Sequence, residues 1–383
     1  MRIVHVYKDY HPPVRGGIEQ TIERMARAQV EAGHDVSVLV SASGGRETVR
    51  ESIAGVRVIR VAEWARALSA PLCPSFPREL AAMGADVWHL HYPNPTGELS
   101  WLLHRPDGAL AVTYHADVVR QRLVMPLYGP FVRTLLARAD VLMPTSDRYI
   151  EHSPFLRPHR GKCHVVPLGI ELEAFERIDR GSVAVRDLRE RYGGPFVLFV
   201  GRLRYYKGVD VLLDAMTRWD GRLVVVGDGP EEARLKAQHA RLGLGDRVVF
   251  AGAVSDDVLH SHLGAAEVGV LPSTHPSEAL GIAMIEYLAA GLPVVCTELG
   301  TGTTFVNRDG ETGLVVPPGD PDALAGALRR LMDDPVRRAR FGAAGRERAR
   351  TVFSRAAMMR GVDAAYAFAC ARADERARGK RVA

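Results

Sequence analysis

Residues 193–201 read G-G-P-F-V-L-F-V-G, and they open the second half of the chain, behind a seam that falls between Gly169 and Gly194. Residues 170–192, just before them, are charged and hold no apolar run of strand length. Gly193-Gly194-Pro195 punctuates a turn, and the apolar run after it opens a new strand series as though from a fresh N-terminus. Before this seam the expected strands are 2–7, 35–41, 56–61, 86–92, 109–115, 141–146 and 163–168. After it they are 195–201, 222–227, 247–251, 268–272, 293–296 and 313–316. Most are continuous apolar runs, as a parallel strand covered on both faces should read. Helical patterns lie between them, among them 18–32, 231–242 and 280–290. The alternation predicts an α/β chain of two tandem Rossmann-like, doubly wound parallel-sheet domains facing a central cleft. Ligands of open α/β sheets sit past the carboxyl ends of the strands, so the site is expected in those loops.

The totals agree with this division. A length of 383 residues suits about two domains, and 47% hydrophobic with 25% charged residues is a globular composition. The net charge of +5 suits an anionic ligand or an anionic membrane face, or reflects a general preference for Arg. No basic stripe interleaved with aromatics and no zinc-finger spacing occurs, so nucleic acid is not an expected partner. Cys73, Cys163, Cys296 and Cys370 lie far apart and form no C-x-x-C pair, which points to a reducing compartment. The first apolar run is too short for a signal segment, and none reaches the roughly 18 residues needed to span a bilayer. A cytoplasmic protein is expected.

Five stretches carry chemistry. Gly16 and Gly17 follow the first strand and open a helix; they are either an amide nest for an anion or a plain strand-to-helix turn. Arg202 and Lys207, in F-V-G-R-L-R-Y-Y-K-G, offer a planar fork and a mobile point charge that can converge on a diphosphate. The loop is neither a Walker A sequence nor a dinucleotide G-x-G-x-x-G. Gly229, in V-G-D-G-P, either makes an ordinary turn or lets backbone approach a flat base. His115, in Y-H-A-D, sits at the expected cleft edge, where it can bond a sugar hydroxyl or serve structure alone. His89 and His91 share one strand face, but no third metal ligand is evident, so they are read as core or cleft-lining residues.

The fifth stretch, residues 277–286, reads S-E-A-L-G-I-A-M-I-E. Glu278 is placed in the loop before a helix beginning at Leu280, with amides of Leu280, Gly281 and Ile282 as an anion site. Gly281 is costly inside a helix, which makes sense if a ligand lies against the backbone there. Glu286 would lie about 12 Å beyond Glu278 if both were helical. That spacing fits one acid near a sugar and one near a ribose, with a diphosphate between them. It does not fit a hydrolytic carboxylate pair about 5–9.5 Å apart. The alternative is a capping Glu278 and a buried Glu286 tied to backbone. Asp320-Pro321-Asp322 reads as a helix start rather than a metal-binding Asp-x-Asp.

In order, G-G, Y-H-A-D, P-L-G-I, F-V-G-R-L-R-Y-Y-K-G, V-G-D-G-P, S-E-A-L-G-I-A-M-I-E and A-A-G-L-P-V-V resemble glycosyltransferase family 4, retaining nucleotide-sugar transferases of the GT-B fold. The resemblance runs from Arg2 to about Leu331, with the E-x7-E pair as its most specific element. It implies that Arg202 and Lys207 hold the donor diphosphate, with Gly16 or Gly17 contacting it from the opposite domain. It puts Glu286 on the ribose, Glu278 on the transferred sugar, and backbone amides of Leu280 and Ile282 on the ligand. His115 would line the reaction centre, and the loop ending at Val254 would lie beside the base. The implied catalytic set is His115, Glu278, Arg202 and Lys207, with no metal and no cofactor beyond the donor.

The resemblance implies residues 1–169 as the acceptor-binding domain and 170–364 as the donor-binding domain, with a final helix at about 365–383 packing back onto the first. P-L-G-I-E replaces the commoner P-N-G-V-D, and Tyr205 and Tyr206 are bulky for their loop. Residues 299–304, L-G-T-G-T-T, resemble members acting on surface polysaccharides or O-antigens, with GDP-linked mannose-type donors favoured over UDP-linked ones. The expected acceptor is a glycan or lipid-linked glycan. Rival readings are a sugar-nucleotide epimerase of the same architecture and a non-catalytic nucleotide-sugar binding protein. Residues 118–124, continuing through Arg133 and Arg138, mix Arg with apolar side chains. They form either a peripheral anchor on an anionic membrane, at the inner face of the cytoplasmic membrane, or an ordinary amphipathic helix.

Overall fold

The computed structural model of the protein describes residues 1–14, 16–67, 70–117 and 125–382. The chain forms two compact units, residues 1–169 with 355–383, and residues 170–354.

The first unit holds β1 (Arg2–Val6), β2 (Asp35–Ser41), β3 (Val49–Ile53), β4 (Val56–Val61), β5 (Ala65–Ala67), β6 (Ala70–Leu72), β7 (Val87–Tyr92), β8 (Ala109–Tyr114) and β9 (Val141–Pro144). Seven of these make one sheet, ordered β3-β4-β2-β1-β7-β8-β9, and β5 pairs with β6 separately. All the main pairs are parallel except β3 with β4. β7 and β8 are buried along their whole length, as continuous apolar runs should be. β3 was not expected. Its sequence V-R-E-S-I is polar and mostly exposed, the composition of an edge strand rather than of a core run.

The second unit holds β10 (Val197–Val200), β11 (Leu223–Val226), β12 (Val248–Gly252), β13 (Val268–Leu271), β14 (Val294–Thr297) and β15 (Gly313–Val316). They form a sheet in the order β12-β11-β10-β13-β14-β15, every pair parallel. The order reverses direction at β10 and β13, where an open sheet leaves its ligand crevice.

Two expectations are corrected. Residues 163–168 are not a strand. His164 and Val166 donate to the carbonyls of Leu142 and Pro144 at 2.8 and 2.9 Å, but Pro167 has no N–H with which to continue the ladder. The final helix begins at Arg355, ten residues earlier than 365, and runs to Val382. Its Met358, Val362, Ala365, Tyr366 and Ala369 join Ile3, Val87, Ala111 and Met143 in the core of the first unit. Passage between units therefore occurs at 169/170 and at 354/355.

Candidate functional site

In the second unit, the loop after β10 is built around Gly208. Its φ is +67°, and a Cβ there would stand 1.9 Å from the carbonyl oxygen of Pro272 at the end of β13. No side chain fits, so the loop lies directly on the next crossover. Thr274 N–H donates to the carbonyl of Tyr206 at 2.9 Å and completes the join. Between these two attachments stands Lys207.

Its ammonium lies 2.6 Å from Glu278 Oε2, with both side chains nearly buried. Ser273 Oγ donates to the same carboxylate oxygen at 3.0 Å. Burial, the largest single influence, pulls the Lys207 ammonium downward, but the charge and hydrogen bond of Glu278 together with the charges of Tyr206 and Glu286 outweigh it, so Lys207 is held above its ordinary range. The two glutamates thus act on one cation. The Glu278 segment is fixed from behind: Thr301 Oγ1 donates to its carbonyl at 2.7 Å, and Gly302 N–H to Ala279 at 2.8 Å. A Cβ on Gly302 would meet Leu280 Cδ1 at 2.6 Å. The 299–304 loop is therefore the support of the first glutamate.

The helix carrying Glu286 spans Ile282–Ala289 and does not begin at Leu280. Gly281 is its N-cap, left-handed at φ 80°, ψ 70°. A Cβ there would stand 2.6 Å from Leu271 Cδ2 and 2.7 Å from Met284 Cε. The glycine is thus required by its backbone angle and by packing, which replaces the expectation of a glycine inside the helix. Ile282 and Ala283 precede the first backbone bond of the turn, Met284 N–H to Gly281 at 2.8 Å. The helix is locked to the sheet by Tyr287, whose hydroxyl accepts from Val200 N–H at 2.6 Å and whose ring lies over Gly269.

Arg202 is exposed and makes no ion pair among the described residues. With Arg204, Asp228, Gly229, Pro230 and Glu232 it lines an open groove of about 510 Å³. Gly229 serves the groove indirectly: a Cβ would stand 2.4 Å from Leu203 O, so its bareness admits the Arg202 loop. Val254 lies in the loop after β12, half-buried. Asp320 caps its helix, Oδ1 accepting from the amides of Asp322 and Ala323 at 3.0 and 2.9 Å, as the helix-start reading requires.

In the first unit, Gly16 caps the helix Gly17–Glu31 with extended backbone. The chain's own Glu19 carboxylate folds over it, so close that a Cβ on Gly16 would overlap Glu19 Oε2. Burial raises the Glu19 carboxyl, partly offset by its own backbone N–H. A phosphate at this end would have to displace that carboxylate.

His115 follows β8 and is buried, its Nε2 3.1 Å from His91 Nδ1. His91 Nε2 lies 3.0 Å from His5 Nδ1. His5, which the sequence reading missed, supplies a third ring beside His89 and His91, their ligand atoms within 4.8 Å of one another. Each of these three rings already has both nitrogens in hydrogen bonds: His5 to Gln29 and His91, His91 to His5 and His115, and His89 to Tyr366 and Thr113. Only the strand order shows the grouping, because β1 lies beside β7 with His5 registered against His89. Spacing along one strand reveals the pair but not its neighbours.

Lys207 and Glu278 are therefore brought together, and the charge of Glu286 acts on the same ammonium. Arg202 and Gly229 share the adjoining groove, while Gly16, Gly17 and His115 belong to the other unit.

Residues 184–348 match the family model described as glycosyl transferases group 1, and residues 16–169 match a glycosyl transferase 4-like domain. The chain is 34% identical to the O-antigen chain mannosyltransferase C of Escherichia coli, over 92% of this chain and 95% of that protein. It is 36% identical to the D-rhamnosyltransferase WbpZ of Pseudomonas aeruginosa, over 92% of each. Among solved structures, the sucrose-phosphate synthase of Thermosynechococcus elongatus superposes with a TM-score of 0.80 at 25% identity, covering 95% of this chain and 98% of that one. An Anabaena protein, Alr3699/HepE, solved in complex with UDP, superposes at 0.76 with 19% identity, covering 95% and 98%. The fold is GT-B.

Proposed function

The chain belongs to the glycosyl transferases of group 1, and from that premise we propose that it moves a mannose-type hexose from a nucleoside-diphosphate sugar to a glycan or lipid-linked glycan hydroxyl, with anomeric configuration retained. The observation that carries this reading is Lys207, ion-paired with Glu278, which lies three residues before the N-cap of the helix that bears Glu286. A cation so placed is suited to a departing diphosphate. Arg202, exposed in the adjoining groove, adds a guanidinium fork.

Charge gathers on the leaving phosphate as the glycosidic bond breaks. Arg202, Lys207 and the free amides of the helix would stabilise it most at the transition state, which is what accelerates the reaction. In this reading Glu286 holds the ribose hydroxyls, Glu278 orients the transferred sugar, and Val254 borders the base. His115 lines the reaction centre, and Gly16 and Gly17 approach the phosphate. No carboxylate is assigned as nucleophile; the acceptor attacks on the leaving-group face, and a donor phosphate oxygen takes its proton. Transfer needs no metal and no further cofactor.

The first unit is read as the acceptor domain and residues 170–354 as the donor domain. The name of the E. coli relative, an O-antigen chain mannosyltransferase, supports polysaccharide assembly and a mannose-type sugar, and that of the P. aeruginosa relative supports transfer of a hexose-class sugar; a GDP-linked donor is part of the same reading. We place the protein at the inner face of the cytoplasmic membrane, held peripherally. Among the described residues no helix is long and apolar enough to cross a membrane.

Incubation with GDP- and UDP-linked hexoses, each with and without glycan acceptor and chelator, tests the reading by mass spectrometry and anomeric NMR couplings. An α-linked product from an α-linked donor, formed only with acceptor and unaffected by chelator, is expected. A donor altered without acceptor, or bound without turnover, would overturn it.

A further inference from the structure

One hydrogen-bonded path threads the core of the first unit. Gln29 Oε1 lies 2.7 Å from His5 Nε2, and the path continues through His5 Nδ1 to His91 and through His91 Nδ1 to His115 Nε2. On its other side Gln29 Nε2 donates to Tyr366 OH at 3.2 Å. Tyr366 OH lies 2.7 Å from His89 Nδ1, and His89 Nε2 lies 2.7 Å from Thr113 Oγ1. One ring atom ends the path. His115 Nδ1 is buried and has no partner among the described residues.

Burial keeps the rings uncharged, pulling His5 to about 4, His115 to about 3, and His89 and His91 well below their ordinary value. A neutral imidazole has one N–H and one lone pair, so a ring that donates at one nitrogen must accept at the other. The direction of the path is therefore shared by all its members. The Gln29 amide sets it, because its oxygen faces His5 and its NH2 faces Tyr366. His5 Nε2–H donates to Gln29, His91 Nε2–H donates to His5, and His115 Nε2–H donates to His91. Tyr366 donates to His89, and His89 Nε2–H donates to Thr113. Turning the amide over would reverse every bond and make His115 Nδ1 a donor.

We infer that Gln29 is a positioning residue for the transfer reaction: through His5 and His91 it fixes His115 as the Nε2–H tautomer, leaving Nδ1 as a bare acceptor for a hydroxyl of the bound sugar. His115 directly follows β8, past the carboxyl end of the strand, where ligands of such sheets lie. The nature of the ligand rests on the glycosyltransferase reading; the tautomer does not.

The tautomer can be read without substrate. In the full chain labelled with 15N-histidine at neutral pH, two-bond 1H–15N correlation spectra should show the four rings of the path, His5, His89, His91 and His115, as neutral Nε2–H tautomers. An Nδ1–H or charged His115 overturns the inference, as does a stoichiometric transition metal on these rings by elemental analysis. Gln29→Leu removes the acceptor and should leave His115 a mixture of tautomers, with kcat/KM for transfer about tenfold lower. Where that variant fails to fold, Tyr366→Phe, which frees the Gln29 amide while keeping the ring, should give the same mixture. A folded variant of either kind whose His115 stays wholly Nε2–H, or whose kcat/KM is unchanged, overturns the role of Gln29. Spectra as expected in a protein that transfers no sugar would leave the relay standing and remove only the transferase reading.

Discussion

The Nζ of Lys207 stands 2.6 Å from Oε2 of Glu278, although the two residues come from different crossovers of the second sheet. Removing one member of a nearly buried pair strands the other, which typically costs about 3–5 kcal/mol. Lys207→Ala should therefore lower both Tm and donor affinity, and Lys207→Ala with Glu278→Gln should recover Tm but not affinity. Calorimetry and nucleotide titration on the three proteins check this. A double variant that binds donor like the parent would remove Lys207 from the site.

Glu286 is assigned to the ribose and acts on the same lysine. Glu286→Gln keeps the shape and removes the charge, so kcat/KM should fall at least about tenfold, roughly 1.4 kcal/mol of transition-state binding. The Tm should change little, because the residue is only half-buried. Steady-state kinetics beside a thermal melt separate the two effects.

Gly208→Ala should fail more severely than an ordinary loop substitution. The left-handed φ alone disfavours any L-residue by about 1–2 kcal/mol, and Pro272 O occupies the place of the new methyl. Relief of that overlap moves the Lys207 loop off β13, so donor affinity and Tm should fall together. Unchanged donor binding would show that the join does not position Lys207.

Stability should depend on pH through opposing groups. The buried histidines have folded values below the unfolded one, so their contribution is present above about 6.5 and is lost as pH falls through the folded values, near 4 for His5 and 3 for His115. Glu98 is the reverse case. Burial, against hydrogen bonds from Tyr128 and the Asn94 amide, pushes it up to about 7, so its contribution is present below about 4.5 and lost as pH rises through 7. Glu98→Gln should remove that loss and steepen the rise in stability between pH 4.5 and 6.5. Denaturant titrations across pH 4–8 measure it.

Residues 118–124 of the expected membrane segment lie outside the described residues; the helix Met125–Arg138 follows. Its Leu127 and Phe131, at i and i+4, are 77% and 48% exposed, and the nearby helix Pro95–His104 adds exposed Leu103. Leu127→Asp with Phe131→Asp should abolish flotation with anionic vesicles and leave transfer to a soluble acceptor intact. Equal flotation of parent and variant would place any membrane contact elsewhere.

The strand series, the seam between Gly169 and Gly194 and the residues of the donor loop are local properties. Apolar runs must be buried, and Gly-Gly-Pro must turn, whatever surrounds them. Hence, of the thirteen runs expected as strands, three (Asp35–Ser41, Val56–Val61 and Gly313–Val316) match end to end, seven need only trimming, two (247–251 and 293–296) shift by one residue, and only 163–168 fails, at a proline. Lys207 and the two glutamates were legible as candidates because glycines and charges stood in strand-to-helix loops. The ion pair of Lys207 with Glu278 was not, since it depends on Gly208 lying against Pro272. Nor was the histidine path, whose members span positions 5 to 366 and meet only because β1, β7 and β8 are neighbours and the last helix returns over them. Periodicity along a chain reports which face a residue takes. Which residues share that face is fixed by strand order and packing, where contact between distant positions lowers the free energy.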